Sequence, residues 1–215
     1  MEKDQFTNIH LDILKEIGNI GAGHAATALS TLLNKKIDMK IPNVRIVPFN
    51  EIMELAGGSE NVVVSVFLRI EGDANGNMFF ILPIEQGERF IRQMIGDPTF
   101  TFASPISELG ASAAQELGNI LAGSYLTALS DFTQLDLLPS VPALSVDMFG
   151  AIISYGLLEV SQICDNAIVI DTTLYEADSL SAVNGHFFLL PNPESFQIIS
   201  NHFQIVGSGM NGDSY

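Results

Sequence analysis

Two stretches one hundred residues apart decide how this chain is read: EIGNIGAGHAATALS, Glu16–Ser30, and ELGNILAGSYLTALS, Glu116–Ser130. Aligned over Leu11–Ser30 against Ala111–Ser130, twenty positions hold ten identities. The correspondence then continues in order. KIPNV (Lys40–Val44) answers SVPAL (Ser140–Leu144), and ENVVVSVFLRIEGD (Glu60–Asp73) answers DNAIVIDTTLYEAD (Asp165–Asp178). MFFILP (Met78–Pro83) answers HFFLLP (His186–Pro191). The chain is an internal duplication. One domain, residues 1–205, is expected to hold repeats at about 8–100 and 104–205, with 206–215 as a flexible tail.

Gly21-Ala22-Gly23-His24-Ala25-Ala26 has the G-x-G-x-x-A spacing of a dinucleotide loop. Such a loop needs an apolar strand immediately before its first glycine. LDILKEIGNI stands there instead, with interspersed charges and Ile9, Ile13, Ile17 and Ile20 recurring at four, four and three. That spacing is one apolar stripe of a helix. The second copy also breaks the fingerprint, with LAGSYL where the first has GAGHAA. Ser104 is expected to cap the second helix, with Pro105 in its first turn. The glycines are then packing residues within helices.

Each repeat reads as a long helix, a short strand, a variable connector, two strands rich in Val, Ile and Phe, and a closing helix. The closing helices fall at about 85–95 and 194–204, and DANGN (Asp73–Asn77) marks a hairpin turn rather than a calcium loop, lacking the ligand series. The second connector, Ser145–Gln162, is longer than PFNEIMELAGG and is expected to include a helix. Two such halves predict an α+β fold with pseudo-twofold symmetry: a six-stranded, mostly antiparallel sheet with two long helices side by side on one face.

Asp12, Glu16 and Asn19 are spaced i, i+4, i+7 and fall within about 60° of one another around a helix. Ser112, Glu116 and Asn119 repeat the arrangement. Gly23, Ala26 and Ser30, and Gly123 and Ser130, keep that side small, so another surface can approach closely. Asn is a poor helix former in mid-helix, yet both copies keep it. Without a nearby His or Cys, neither a metal centre nor a nucleophilic triad is supported. A carboxamide can donate to and accept from a water and hold it in line with a phosphoryl group, as a Gln does in GTPases. A Glu beside it can pair with a lysine of a partner.

Composition sets the bounds. The chain has 215 residues, 47% hydrophobic and 16% charged, with a mean hydropathy of +0.30, which fits a folded domain with a large core. No apolar run reaches the length of a membrane helix, and MEKDQFTNIH is unlike a signal peptide. The one cysteine, Cys164, excludes an internal disulfide and fits a cytoplasmic location, and without a nearby basic residue it is expected to be a buried thiol. The net charge of −16 argues against nucleic acid and anionic membrane as partners. All nine Lys and Arg lie between Lys3 and Arg92, while residues from 101 onward carry twelve Asp and Glu. An acidic second half fits a solvated surface or a basic protein partner. His10, His186 and His202 share no ligand spacing.

The pattern [D/S]-x-x-x-E-x-x-N, present as Asp12-Glu16-Asn19 and Ser112-Glu116-Asn119, resembles the CheC/CheX/FliY family of chemotaxis phosphatases over roughly residues 8–205. Two motifs in one chain, without added flagellar-switch segments, are similar to its CheC-like members, although His24 stands where asparagine is more common. The resemblance implies hydrolysis of the aspartyl phosphate of the response regulator CheY. Glu16 and Glu116 would pair with a CheY lysine, Asn19 and Asn119 would orient the water, and Asp12 and Ser112 would support docking. The Mg²⁺ would be the regulator's, with no cofactor of this chain's own. The family also implies binding of the receptor deamidase CheD through the second connector, with Asp147, Phe149 and Gly150 as candidates. A non-catalytic flagellar-switch or CheD-binding adaptor is the alternative. A monomer is expected, since a pseudo-dimeric chain has less need to self-associate.

Overall fold

A computed structural model describes residues 8–55, 57–160, 166–176 and 182–210. Each half opens with a 26-residue helix, α1 (Asn8–Leu33) and α4 (Glu108–Thr133). Both end on a residue with positive φ, Asn34 and Gln134. The repeated serines tie each helix to the strand that follows. Ser30 Oγ accepts from Ile37 N at 2.9 Å and donates to Ile37 O at 3.2 Å, and Ser130 Oγ donates to Leu135 O. These serines therefore have a structural task and are not clearance residues.

The first half continues through β1 (Ile37–Pro48), α2 (Phe49–Leu55), β2 (Val62–Gly72), β3 (Gly76–Pro83) and α3 (Ile84–Ile95). The second continues through β4 (Leu137–Pro139), β5 (Ala143–Met148), α5 (Phe149–Val160), β6 (Asn166–Glu176), β7 (Ala182–Pro191) and α6 (Pro193–Met210). The sheet order is β1-β6-β7-β3-β2-β4, with β5 also on β2, and every pairing is antiparallel. The expected six positions are present. The outermost holds two short strands, because residues 140–142 leave the ladder where the first half stays one strand with a shift of register. The short strand expected around KIPNV is part of the twelve-residue β1. The halves exchange strands: β1 pairs with the second half's β6, and β4 and β5 pair with the first half's β2.

Alternation along the central strands sends side chains into two cores. One lies under α1, α4, α3 and α6 and includes Leu14, Ile17, Leu29, Phe80, Leu117, Leu129, Phe187 and Phe203. The other lies under α2 and α5 and includes Ile52, Phe79, Phe149, Ile152, Val169 and Phe188. At about 25 cal/mol per Å² of apolar area removed from water, these side chains supply the main drive to fold. α1 and α4 lie side by side, with Gly21 at the contact: a Cβ there would meet Ser124 O at 2.9 Å and Tyr125 Cα at 3.0 Å.

Several expectations change. The buried face of α1 is His10, Leu14, Ile17, Gly18, Gly21, Ala22, Ala25, Ala26 and Leu29. Ile9 and Ile20 are exposed and Ile13 is half-buried, because small residues let α1 sit close to α4 and β1. The cap of α4 is Ser107, whose Oγ accepts from Gly110 N at 3.2 Å, not Ser104. The segment before it is held back by Phe100 and Phe102, both buried in the core. α6 runs to Met210, five residues into the expected tail, since a nucleated helix gains one hydrogen bond per added residue. Residues 211–215 and Cys164 lie outside the described residues. The DANGN hairpin forms, and Asp73 Oδ2 accepts from Asp136 N at 2.8 Å, joining it to β4.

Candidate functional site

The helix geometry puts both motifs on the solvent side, away from the sheet. Asp12, Glu16 and Asn19 are exposed on α1, and Ser112, Glu116 and Asn119 are exposed on α4. A Cβ at Gly23 or Gly123 would meet nothing within 4 Å, so the surface beside each motif is clear. Apolar residues rim each motif. Ile9 and Ile20 are 66% and 45% exposed, and their counterparts are Leu109, 62% exposed, and the half-buried Ile120. The n and n+100 pairing of these residues is visible in the sequence, but their hydrophobicity fits a core stripe equally well.

The two asparagines differ. Asn19 Oδ1 accepts from Ile41 N at 3.0 Å, and Asn19 Nδ2 donates to Lys15 O at 3.0 Å. The cause lies in β1. Its register against β6 shifts between Lys40 and Asn43, and a bulge leaves an amide without a ladder partner. Asn19 supplies that partner. In the second half the equivalent residue, Val141, is 89% exposed and lies between β4 and β5. Ser140 holds this loop to β2: Ser140 N donates to Arg69 O at 2.9 Å and Arg69 N donates to Ser140 Oγ at 2.9 Å. Gln115 Nε2 donates to Pro142 O at 3.3 Å. A groove of about 460 Å³ opens between α4 and the loop, lined by Glu116, Asn119 and Val141 among others. Among the described residues, the side chains of Glu16, Glu116 and Asn119 make no hydrogen bond or ion pair.

The remaining candidates fall elsewhere. Phe149 is fully buried in the core beneath α5, so it cannot be a docking contact. Gly150 N donates to Ser59 O at 2.8 Å, and a Cβ there would meet Ser59 Cβ at 3.0 Å, so its smallness serves packing. Asp147 is exposed and pairs with the buried Val63, while the next pair, Met148 and Val62, is exposed on the other face of the sheet. His10 is buried, and His202 Nδ1 donates to Ile198 O at 2.8 Å. His186 Nδ1 lies 2.8 Å from Asp171 Oδ1, which also accepts from Arg45 at 2.9 Å. Burial raises the Asp171 pKa, but these two partners outweigh it and hold the carboxyl below its ordinary value. Among the described residues no group of three or more His, Cys, Asp and Glu could hold a metal, and no helix is long and apolar enough to cross a membrane.

A duplicated α+β domain presenting the same acid–amide pair on two adjacent helices is a recognisable class, and comparison with known proteins agrees. A model of the CheC-like family matches residues 9–46 and 109–146, the two long helices and the chain just after them. A Bacillus subtilis (strain 168) protein named CheY-P phosphatase CheC is 52% identical over 192 residues, covering 87% of this chain and 90% of that protein. The chain belongs to the CheC-like family. In fold it is similar to Thermotoga maritima FliY, with a TM-score of 0.75 at 20% identity over 94% of this chain and 98% of that one. The FliM middle domain of H. pylori gives 0.63 at 11% identity, over 94% and 99%.

Proposed function

We propose that this protein hydrolyses the aspartyl phosphate of the response regulator CheY, using the Glu–Asn pairs of α1 and α4. The observation that carries the proposal is the placement of Glu116 and Asn119. Both are exposed on one face, both lack an intramolecular partner among the described residues, and both border an open groove. The CheC of Bacillus subtilis, named as a CheY-P phosphatase, supports the same substrate.

Glu116 pairs with a lysine beside the regulator's phosphoryl group and fixes the docked pose. Asn119 enters beside it, accepting from and donating to a water so that its oxygen lies in line with phosphorus. The water oxygen bonds to phosphorus while the bond from phosphorus to the aspartyl oxygen breaks. The carboxylate is released, and both protons of the water leave on the inorganic phosphate. An uncharged carboxamide takes no proton, so the contribution is positioning. Glu16 and Asn19 form the corresponding pair, with Asp12 and Ser112 at the edge of each docking surface. The Mg²⁺ is the regulator's and neutralises phosphoryl charge there. Following decay of phosphorylated CheY with wild type and with Asn19→Ala/Asn119→Ala tests the assignment. A folded double variant as fast as wild type would remove these residues from the reaction.

The deamidase CheD is assigned to Asp147 and the cleft it lines. The support is the exposed carboxylate of Asp147 lining a cleft of about 360 Å³ with Phe67, Ala143 and Ile152 among others, while Val62 and Met148 are exposed on the other face of the same strand pair. Asp147→Lys should weaken CheD binding at least tenfold by titration calorimetry. Unchanged affinity moves CheD elsewhere.

A further inference from the structure

We infer that the two motifs are unequal: Glu116 and Asn119 form the working site, Val141 is its added contact with the partner, and Asn19 serves first as a strut of the fold. This rests on the phosphatase function proposed above and states which motif carries the rate.

Hydrogen-bond geometry separates the motifs. Asn19 has one acceptor position taken by Ile41 N and one donor by Lys15 O. Turning its carboxamide toward a bound regulator breaks both bonds and strands the Ile41 amide, in a residue 2% exposed. Leaving a buried donor unpaired is costly, so the reactive orientation at the first motif is sparsely populated. Asn119 carries no such obligation. The segment that would have claimed it, Ser140–Pro142, is pinned outward to Arg69 and Gln115. What is closed by β1 in the first half is an open groove in the second.

Charge points the same way. Gln115 occupies the place of Lys15, and α4 contains no Lys or Arg. Glu116 therefore meets a partner lysine with no cation on its own helix competing for it. Val141, 89% exposed on the groove's outer wall, adds an apolar contact absent from the first motif, where Ile41 is buried beneath Gly18. Burying such a side chain against a partner favours docking without changing the chemical step.

Single variants of the full chain, assayed on phosphorylated CheY, test the inference. Asn119→Ala should lose at least tenfold in kcat/KM, and Asn19→Ala less than threefold. Val141→Asp should raise KM severalfold while kcat stays within twofold. Equal losses for the two asparagines, or an unchanged KM for Val141→Asp, overturn the inequality and leave the phosphatase function standing. A wild type that does not accelerate decay removes both. Should Asn19→Ala unfold under assay conditions, NMR of the wild type with beryllofluoride-activated CheY decides. The Asn119 side-chain amide and the Val141 backbone amide should shift while the Asn19 side-chain amide stays. A shift at Asn19 as large as that at Asn119 overturns the inference.

Discussion

Replacing Asn19 with alanine removes the acceptor for Ile41 N; replacing Asn119 with alanine removes no intramolecular bond among the described residues. Both positions lie inside 26-residue helices. The gain in helix propensity, about 0.5 kcal/mol, is therefore common to both and cancels in the comparison. What remains is the stranded Ile41 amide, worth about 1–3 kcal/mol. The Asn19–Lys15 bond adds little, because it is exposed and water replaces it. Asn119→Ala should thus be slightly more stable than wild type and Asn19→Ala less stable than wild type by about 1–2 kcal/mol. Urea melts followed by far-UV circular dichroism, at equal m, should separate the variants by roughly 0.5–1 M in midpoint. Thermal midpoints should differ by about 4–8 °C for a separation near 2 kcal/mol in a chain of this size. Hydrogen exchange at the Ile41 amide should accelerate only in Asn19→Ala. Coincident midpoints with Ile41 still protected would show that Asn19 is not a strut.

Three further outcomes follow from the packing and the titrating groups. Gly118→Ala should be less stable than Gly123→Ala by about 1–3 kcal/mol, since the new methyl overlaps the Val66 side chain at 118 and meets nothing at 123; equal melting points would mean that Val66 can move aside. The Tyr125 hydroxyl is buried without a partner among the described residues, and burial drives its pKa up. Tyr125→Phe should therefore stabilise by about 1 kcal/mol, and a loss of stability would reveal a partner for the hydroxyl. Asp171 is held below its ordinary pKa, so its contribution is full above about pH 4 and is lost as pH falls through the lower folded value. Asp171→Asn should be less stable than wild type at pH 7 with the gap narrowing below pH 4; a gap constant down to pH 2 counts against the charge interaction.

The motif face was legible because duplication gives two independent samples of one surface. Glu16 and Asn19 recur as Glu116 and Asn119 while their neighbours change. The core face was harder to read, since hydropathy weights large side chains. α1 buries glycines and alanines against α4, and three of its four striped isoleucines lie partly or wholly outside. The double duty of Asn19 was hidden because it depends on a bulge in β1, set by pairing of Lys40 and Asn43 with Thr173 and Asp171, far along the chain. The position of Phe149 in the connector fits a docking surface, but its hydrophobicity equally fits the second core, where it lies. The repetition of Ser30 and Ser130 looked like part of the docking face and is explained by helix-to-strand bonds. Preservation between copies marked both kinds of residue alike, and only the bonds distinguish them.

The exchange of strands between the halves bears on how the molecule is made. While the chain emerges from the ribosome, β1 has no neighbour until β6 is synthesised, and β3 lacks its second neighbour until β7. A nascent first half holds the β2–β3 hairpin and a stray strand, with sheet edges open to pairing with other chains. Long-range closure of this kind slows folding. The first motif's supporting wall is thus completed by some of the last strands to be made, and a truncated transcript encoding one repeat would yield an unfinished, aggregation-prone sheet in place of a smaller enzyme.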